Sequence, residues 1–243
     1  MKLKSYYKHY FRSYLYLPQT IEFLVDRRKE VSDKKAIVTG ININIILSLT
    51  STIESLNQFV LNNVFIYNLK NDFTESSDIT FKLIETELAN IEKMYFKDLG
   101  KYWKLIFGND LIEDINSNLN TDLKMLFQYR NFLVHGKEFS IYEIRTEILN
   151  EQNEIVHTKN STEYSFGKNK YKILLKYFKK NNLIEDLELM RESMTATFAD
   201  SKKINHFIAV YNNFIKAVIL KLNTDYKNLN LQLYDSLMIQ SNC

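Results

Sequence analysis

Apolar positions recur at helical spacing along most of this chain. Ile45, Ile46, Leu49, Ile53, Leu56 and Val60 predict a long amphipathic helix over 41–66. Phe81, Ile84, Leu88, Ile91 and Tyr95 predict a second over 74–98, with Ser76, Ser77 and Asp78 as caps and Gly100 as its stop. A short helix follows over 103–107, ended by Gly108, with Trp103 as a core anchor. Leu123, Leu126, Phe127 and Val134 form one stripe of a helix over 122–135, and Gly136 sits where a glycine commonly closes a helix. The pattern then changes. Tyr142, Ile144, Thr146 and Ile148 alternate with Glu143, Arg145 and Glu147, which is the period of a strand. A turn-like stretch at 150–153 and a return strand at 155–158 make a small β-hairpin inserted among helices. Helical spacing resumes over 171–178, 183–198 and 204–222.

The chain therefore divides into four stretches. Residues 1–33 are a basic, aromatic helical segment that Pro18 should break at Leu17. Residues 34–140 are a helical core, 141–168 the hairpin insertion, and 169–243 the C-terminal helices and tail. The last twenty residues keep two readings, a loose tail or a partner-binding segment.

Composition sharpens this picture. Five Gly and one Pro in 243 residues are few breakers, which favours long helices over a turn-rich β architecture. The net charge of +3 permits nucleic-acid binding without arguing for it. A single cysteine, Cys243, excludes an intramolecular disulfide and a thiolate metal site, so a reducing, cytoplasmic setting fits. The N-terminus lacks the continuous apolar stretch of a signal peptide. Asn42 and Asn44 interrupt the apolar run at 41–49, and Asn212, Asn213 and Lys216 interrupt the one at 207–222, so neither reads as a membrane span.

Candidate chemistry concentrates in Arg130-Asn131-Phe132-Leu133-Val134-His135-Gly136. At 100° per residue Arg130 falls within the apolar stripe, where a charge is costly unless paired. Asn131 and His135, four apart, are neighbours on its flank. These types suit metal-free cleavage of RNA. His135 can take the ribose 2′-hydroxyl proton or protonate the leaving 5′-oxygen, as histidines in acid–base catalysis do. Arg130 offers a planar fork to phosphate oxygens as charge grows in the transition state. Asn131 can orient the imidazole or touch a phosphate. The expected product is a 2′,3′-cyclic phosphate. With six Arg and four His, chance predicts about 0.3 Arg-to-His spacings of four to six, and an Asn directly after the Arg lowers this to about 0.03. The bland alternative is that Arg130 pairs with an acidic residue of a neighbouring helix while His135 favours the helix C-terminus.

The motif resembles that of the HEPN superfamily, all-helical domains whose signature is Arg-x(4–6)-His, most often with Asn, Asp or His just after the Arg. The order of long helix, second helix, short helix and motif helix is similar to theirs over roughly 34–140. The resemblance implies a mainly α, HEPN-like helical bundle, here with an inserted β-hairpin and additional C-terminal helices. It implies a metal-independent endoribonuclease acting on RNA as a homodimer with a composite site, typically a toxin with a cognate antitoxin or an anti-phage effector. It also implies an acidic residue on the first long helix facing the site, for which Glu54 is the candidate. Lys137 stands where some family toxins carry a tyrosine that a partner enzyme modifies, so that mode of control is not expected.

Other readings stay open. A non-catalytic HEPN-like module would bind RNA, a nucleotide or a protein as adaptor or antitoxin, and a helical structural protein would carry the motif by accident. Lys2, Lys4, Lys8 and Arg12, interleaved with Tyr6, Tyr7, Tyr10 and Phe11, suit either RNA stacking or an aromatic face packed inward. Lys176, Lys179 and Lys180 read as a solvated face. His9, His157 and His206 have no acidic or Cys partners at metal spacing, and no glycine-rich phosphate loop occurs, so neither metal nor cofactor is expected.

Overall fold

The computed structural model describes residues 13–72, 82–83, 86–87, 89–90, 96–108, 115–135, 139–149, 155–166, 169–184, 194–225 and 239. The architecture is mainly α. The elements are α1 (Ser13–Glu30), α2 (Lys35–Asp72), α3 (Phe96–Phe107), α4 (Ser117–His135), β1 (Phe139–Leu149), β2 (Ile155–Phe166), α5 (Asn169–Lys180), α6 (Met194–Phe198) and α7 (Ser201–Asp225).

The long helix α2 is the axis of the bundle, and α1, α3, α4, α6 and α7 all pack on it. Its predicted stripe is its buried face, since Ile45, Ile46, Leu49, Ile53 and Leu56 are fully enclosed and Val60 nearly so. The helix starts earlier and ends later than the 41–66 expected from its stripe, running from Lys35 to Asp72. Over Lys35–Asn62 it is also long and apolar enough to cross a membrane by length and composition. Here its apolar face is taken up by the other helices, and the buried Asn42, Thr50, Thr52, Asn57 and Asn62 are the polar content of a protein core rather than of a lipid-facing surface.

Several boundaries differ from expectation for local physical reasons. Pro18 does not end a helix at Leu17 but lies inside α1. The lost backbone donor and the ring are tolerated because α1 packs along α2 through Ile21 and Val25. Gly100 lies within α3 rather than stopping a helix, whereas Gly108, at φ 79°, does end it, its amide reaching the Lys104 carbonyl at 2.9 Å. Of the helix expected over 183–198, Leu183 and Ile184 are not helical, Met194–Phe198 is, and 185–193 lie outside the described residues. Asn182 takes φ 54°, the Leu183 amide bonds the Phe178 carbonyl at 2.8 Å and the Asn182 amide bonds that of Lys179 at 3.1 Å. This left-handed cap terminates α5 and turns Leu183 and Ile184 inward as buried coil. The stripe expected at 81–95, Gly136, Lys137 and the basic N-terminal residues lie outside the described residues. Lys82, Leu83, Thr86, Glu87, Ala89 and Asn90 are helical, and the Tyr102 hydroxyl of α3 donates to Glu87 at 2.8 Å.

The hairpin is longer than its alternation suggested. β1 and β2 pair antiparallel from Phe139–Phe166 to Leu149–Ile155, with an irregularity between Ile148 and Leu149, and β2 packs against α5. An aromatic cluster joins α4, α5, α6 and α7. Tyr129 meets Phe178 edge-on at 5.3 Å and stacks on Phe207 at 5.2 Å, while Phe132 lies 4.7 Å from Phe198 and 5.3 Å from Tyr171. Trp103 is buried and its ring lies tilted against that of Phe107, 4.4 Å between centres. In the C-terminal stretch the described residue is Ile239, and it is fastened to α7. Asn212 of α7 donates to the Ile239 carbonyl and accepts from its amide, both at 3.0 Å, and Ile239 is buried.

Candidate functional site

The motif helix α4 begins with an asparagine cap. Asn116 Oδ1 accepts from the Leu119 amide at 2.7 Å, satisfying a donor the helix itself leaves open. Its buried face is Leu119, Leu123, Met125, Leu126, Tyr129 and Phe132. Tyr129 fixes the rotation of the helix. It is fully buried and its hydroxyl donates to the Phe198 carbonyl, while burial, and then the nearby Asp200 charge, push its pKa well above the usual tyrosine value. The stripe of the sequence reading is therefore displaced. Its Val134 is 52% exposed, because Tyr129 and Phe132 draw the buried arc away from it. Arg130 comes to the edge of the arc rather than within it, and Asn131 and His135 fall progressively further toward solvent.

At that edge Arg130 meets α2. Its Nη1 donates to Glu54 Oε2 at 3.3 Å, and the two side chains retain 25% and 21% of their exposure. Nε and Nη2 both donate to Asn131 Oδ1, at 3.3 and 3.2 Å. The guanidinium also lies 5.6 Å from the centre of the Phe127 ring. The second N–H of each terminal nitrogen has no partner among the described residues. The cluster thus presents a cation, oriented from both sides, with open donors at a partly wetted surface. An anion that approaches would exchange with the Glu54 contact at modest cost, because the pair is neither short nor fully desolvated.

Three of the four predicted residues, Arg130, Asn131 and Glu54, are joined by these contacts. His135 is not. It is exposed on the last turn of α4, about 7.5 Å along the helix axis from Arg130, and no described hydrogen bond links it to the other three. Among the described residues no three His, Cys, Asp or Glu side chains gather as a metal site would require.

A second polar cluster was not foreseen. The Tyr177 hydroxyl of α5 donates to Asp122 Oδ1 of α4 at 2.8 Å and lies 2.6 Å from His206 Nε2 of α7. A phenol has one proton to give, so the imidazole must supply the other, which places a proton on Nε2. Burial lowers the His206 pKa, with Asp122 opposing, and burial followed by the Asp122 bond and charge raises that of Tyr177. These residues are 29 and 55 positions from Tyr177, and nothing local in the sequence announces them. Asp122 also lines a groove of about 490 Å³ with Ile115, Asn116, Asn118, Leu119, Asn213 and Ala217. Comparison of the chain with protein-family models, with curated proteins and with solved structures finds no match.

Proposed function

We propose that this chain is a HEPN-type, metal-independent endoribonuclease built on a HEPN-like bundle of α2, α3 and α4, serving as a toxin or anti-phage effector. The reading rests on the Arg130-Asn131-x3-His135 motif, and it is supported by the contact of Glu54 with Arg130 across 76 residues of sequence, the acidic partner that the resemblance implies; a plain ion pair between neighbouring helices, with His135 in the last turn, would show the same contact. In this reading Arg130 clamps the scissile phosphate and stabilises its developing charge, Asn131 holds the guanidinium plane, and Glu54 keeps the fork oriented between turnovers. His135 takes the 2′-hydroxyl proton or protonates the 5′-leaving oxygen. One copy of the motif offers a single histidine, so a homodimer that brings a second motif helix alongside would complete the acid–base pair. The exposure of Val134 and His135 leaves that end of α4 accessible to such a partner.

A second reading, a non-catalytic HEPN-like module that binds RNA, a nucleotide or a protein, draws support from the same contact. The Arg130 fork is already occupied by Glu54, and His135 stands apart from it. Incubating total RNA and tRNA in EDTA with wild type and His135→Ala separates the two. Cleavage by wild type with loss of at least a hundredfold in the variant is the expected result. Equal rates would remove His135 from the mechanism, and no cleavage by a folded wild-type dimer would favour the binding module.

A further inference from the structure

The groove between the first turns of α4 and the middle of α7 lies apart from Arg130, and the ribonuclease reading makes no use of it. Its lining is unusual for a helix–helix seam. Three asparagines, Asn116, Asn118 and Asn213, and the carboxylate of Asp122 rim it, while Ile115, Leu119 and Ala217 supply apolar surface. Its volume of about 490 Å³ lies in the range of small-molecule sites. Asp122 is positioned from behind. Tyr177 holds its Oδ1 at 2.8 Å, and His206 holds Tyr177 at 2.6 Å, so three helices fix one carboxylate rotamer. Among the described residues only that oxygen is engaged, which leaves Oδ2 available to a ligand.

The chemistry of this rim selects its occupant. A fixed carboxylate repels phosphate and accepts from paired N–H donors. Side-chain amides both give and accept, and so suit a ring that carries a carbonyl beside its N–H groups. The edges of Ile115, Leu119 and Ala217 give the ring a limited apolar contact. Among nucleobases guanine alone combines adjacent ring and exocyclic N–H donors with a neighbouring carbonyl, whereas adenine presents an unprotonated N1 that a carboxylate would repel. We propose that this groove binds a guanine base, with Asp122 accepting from its N1–H and 2-amino group, the asparagine amides meeting its carbonyl and ribose, and Tyr177 and His206 acting as positioning residues. The same base can arrive as a free nucleoside or as part of an RNA strand.

Calorimetric titration of the full chain tests this. Guanosine should bind with a Kd of about a millimolar or better, and adenosine and 1-methylguanosine, which lacks the N1 proton, at least tenfold more weakly. Asp122→Asn preserves an acceptor for Tyr177 and should keep the melting temperature while weakening guanosine at least tenfold. Asn213→Ala, at an exposed position, should weaken it about threefold and serves should Asp122→Asn fail to fold. A purely structural Asp122 would leave the guanosine to 1-methylguanosine ratio untouched. Equal binding of all three nucleosides, absence of guanosine binding, or guanosine affinity unchanged in both variants would overturn the proposal. In the His135→Ala background, a uridine hexamer with one guanosine that binds at least tenfold more tightly than guanosine would identify RNA as the source of the base. Equal affinity would identify the free nucleoside. Because binding at Asp122 and cleavage through His135 are read separately, failure of either leaves the other standing.

Discussion

Two arginines in this molecule sit among asparagines, and their surroundings differ in an instructive way. Arg28 of α1 is buried, 7% exposed, and donates to Asn42 of α2 at 3.2 Å and to Asn205 of α7 at 2.9 Å. Asn42 in turn donates to the Ala199 carbonyl at 2.6 Å. Next to this junction Lys203, wholly enclosed, bonds Asp200 and the Thr197 carbonyl and lies 5.9 Å from the Phe178 ring centre. Arg130 has one carboxylate at 3.3 Å, the amide of its own sequence neighbour, and a quarter of its surface in water. The cations at the first place are desolvated and tied to separate elements, so they hold the fold. The cation at the second is tied loosely, so it can exchange partners without the helices moving. An arginine that must act on a ligand belongs in the second kind of setting.

The same substitution at both positions gives the sharpest contrast. Arg28→Met should destabilise the protein by about 2 kcal/mol, because it strands the side-chain carbonyl of Asn42 in the core and removes the bond to the partly buried Asn205. Chemical denaturation measures this, and a loss below about 1 kcal/mol would show that the junction relaxes around the missing charge. Arg130→Met should cost less than about 1 kcal/mol, as partly exposed pairs do. It should nevertheless reduce RNA cleavage at least a hundredfold, with a far larger effect on kcat than on stability. An unfolded Arg130→Met protein would place Arg130 with the structural cations and erase the distinction. The smallest effect belongs to the third cluster. The folded-state pKa of His206 is lowered by burial, with Asp122 opposing, so the unfolded chain binds the proton more readily. Stability should be greatest above the ordinary histidine range and decline as pH falls through about 6.5 and below. His206→Gln should flatten the change in melting temperature between pH 7.5 and 5, and an unaltered slope would assign the decline to other groups.

How far the sequence disclosed all this depends on the separation of the partners. Residues on one helix face were legible. The α2 stripe from Ile45 to Val60 is the core, and the polar flank holding Asn131 and His135 is the wet side of α4. Glu54 was reached through the family resemblance rather than through any local signal. What failed was the axis of the α4 stripe, since four apolar residues did not weigh Tyr129 and Phe132, whose partners lie on α5, α6 and α7. Pro18 misled for a related reason, because the packing of α1 on α2 offsets what its backbone loses. Arg28 and Asn205, or Asp122, Tyr177 and His206, are joined by tertiary proximity alone, and no spacing rule anticipates them.

The dependence of α2 on α7 has a consequence for how the protein is made. The two helices begin roughly 160 residues apart, so a ribosome adding about 5–20 residues per second needs roughly 8–30 s to supply the second after the first. Throughout that interval the apolar flank of α2 that α7 covers has no native cover. The helix has a mean hydropathy of 1.6 over its richest window, and its uncovered flank is a ready target for chaperones or for premature association. Closure by α7 is thus a late and entropically demanding contact of the core, and the nascent chain is vulnerable until that helix emerges.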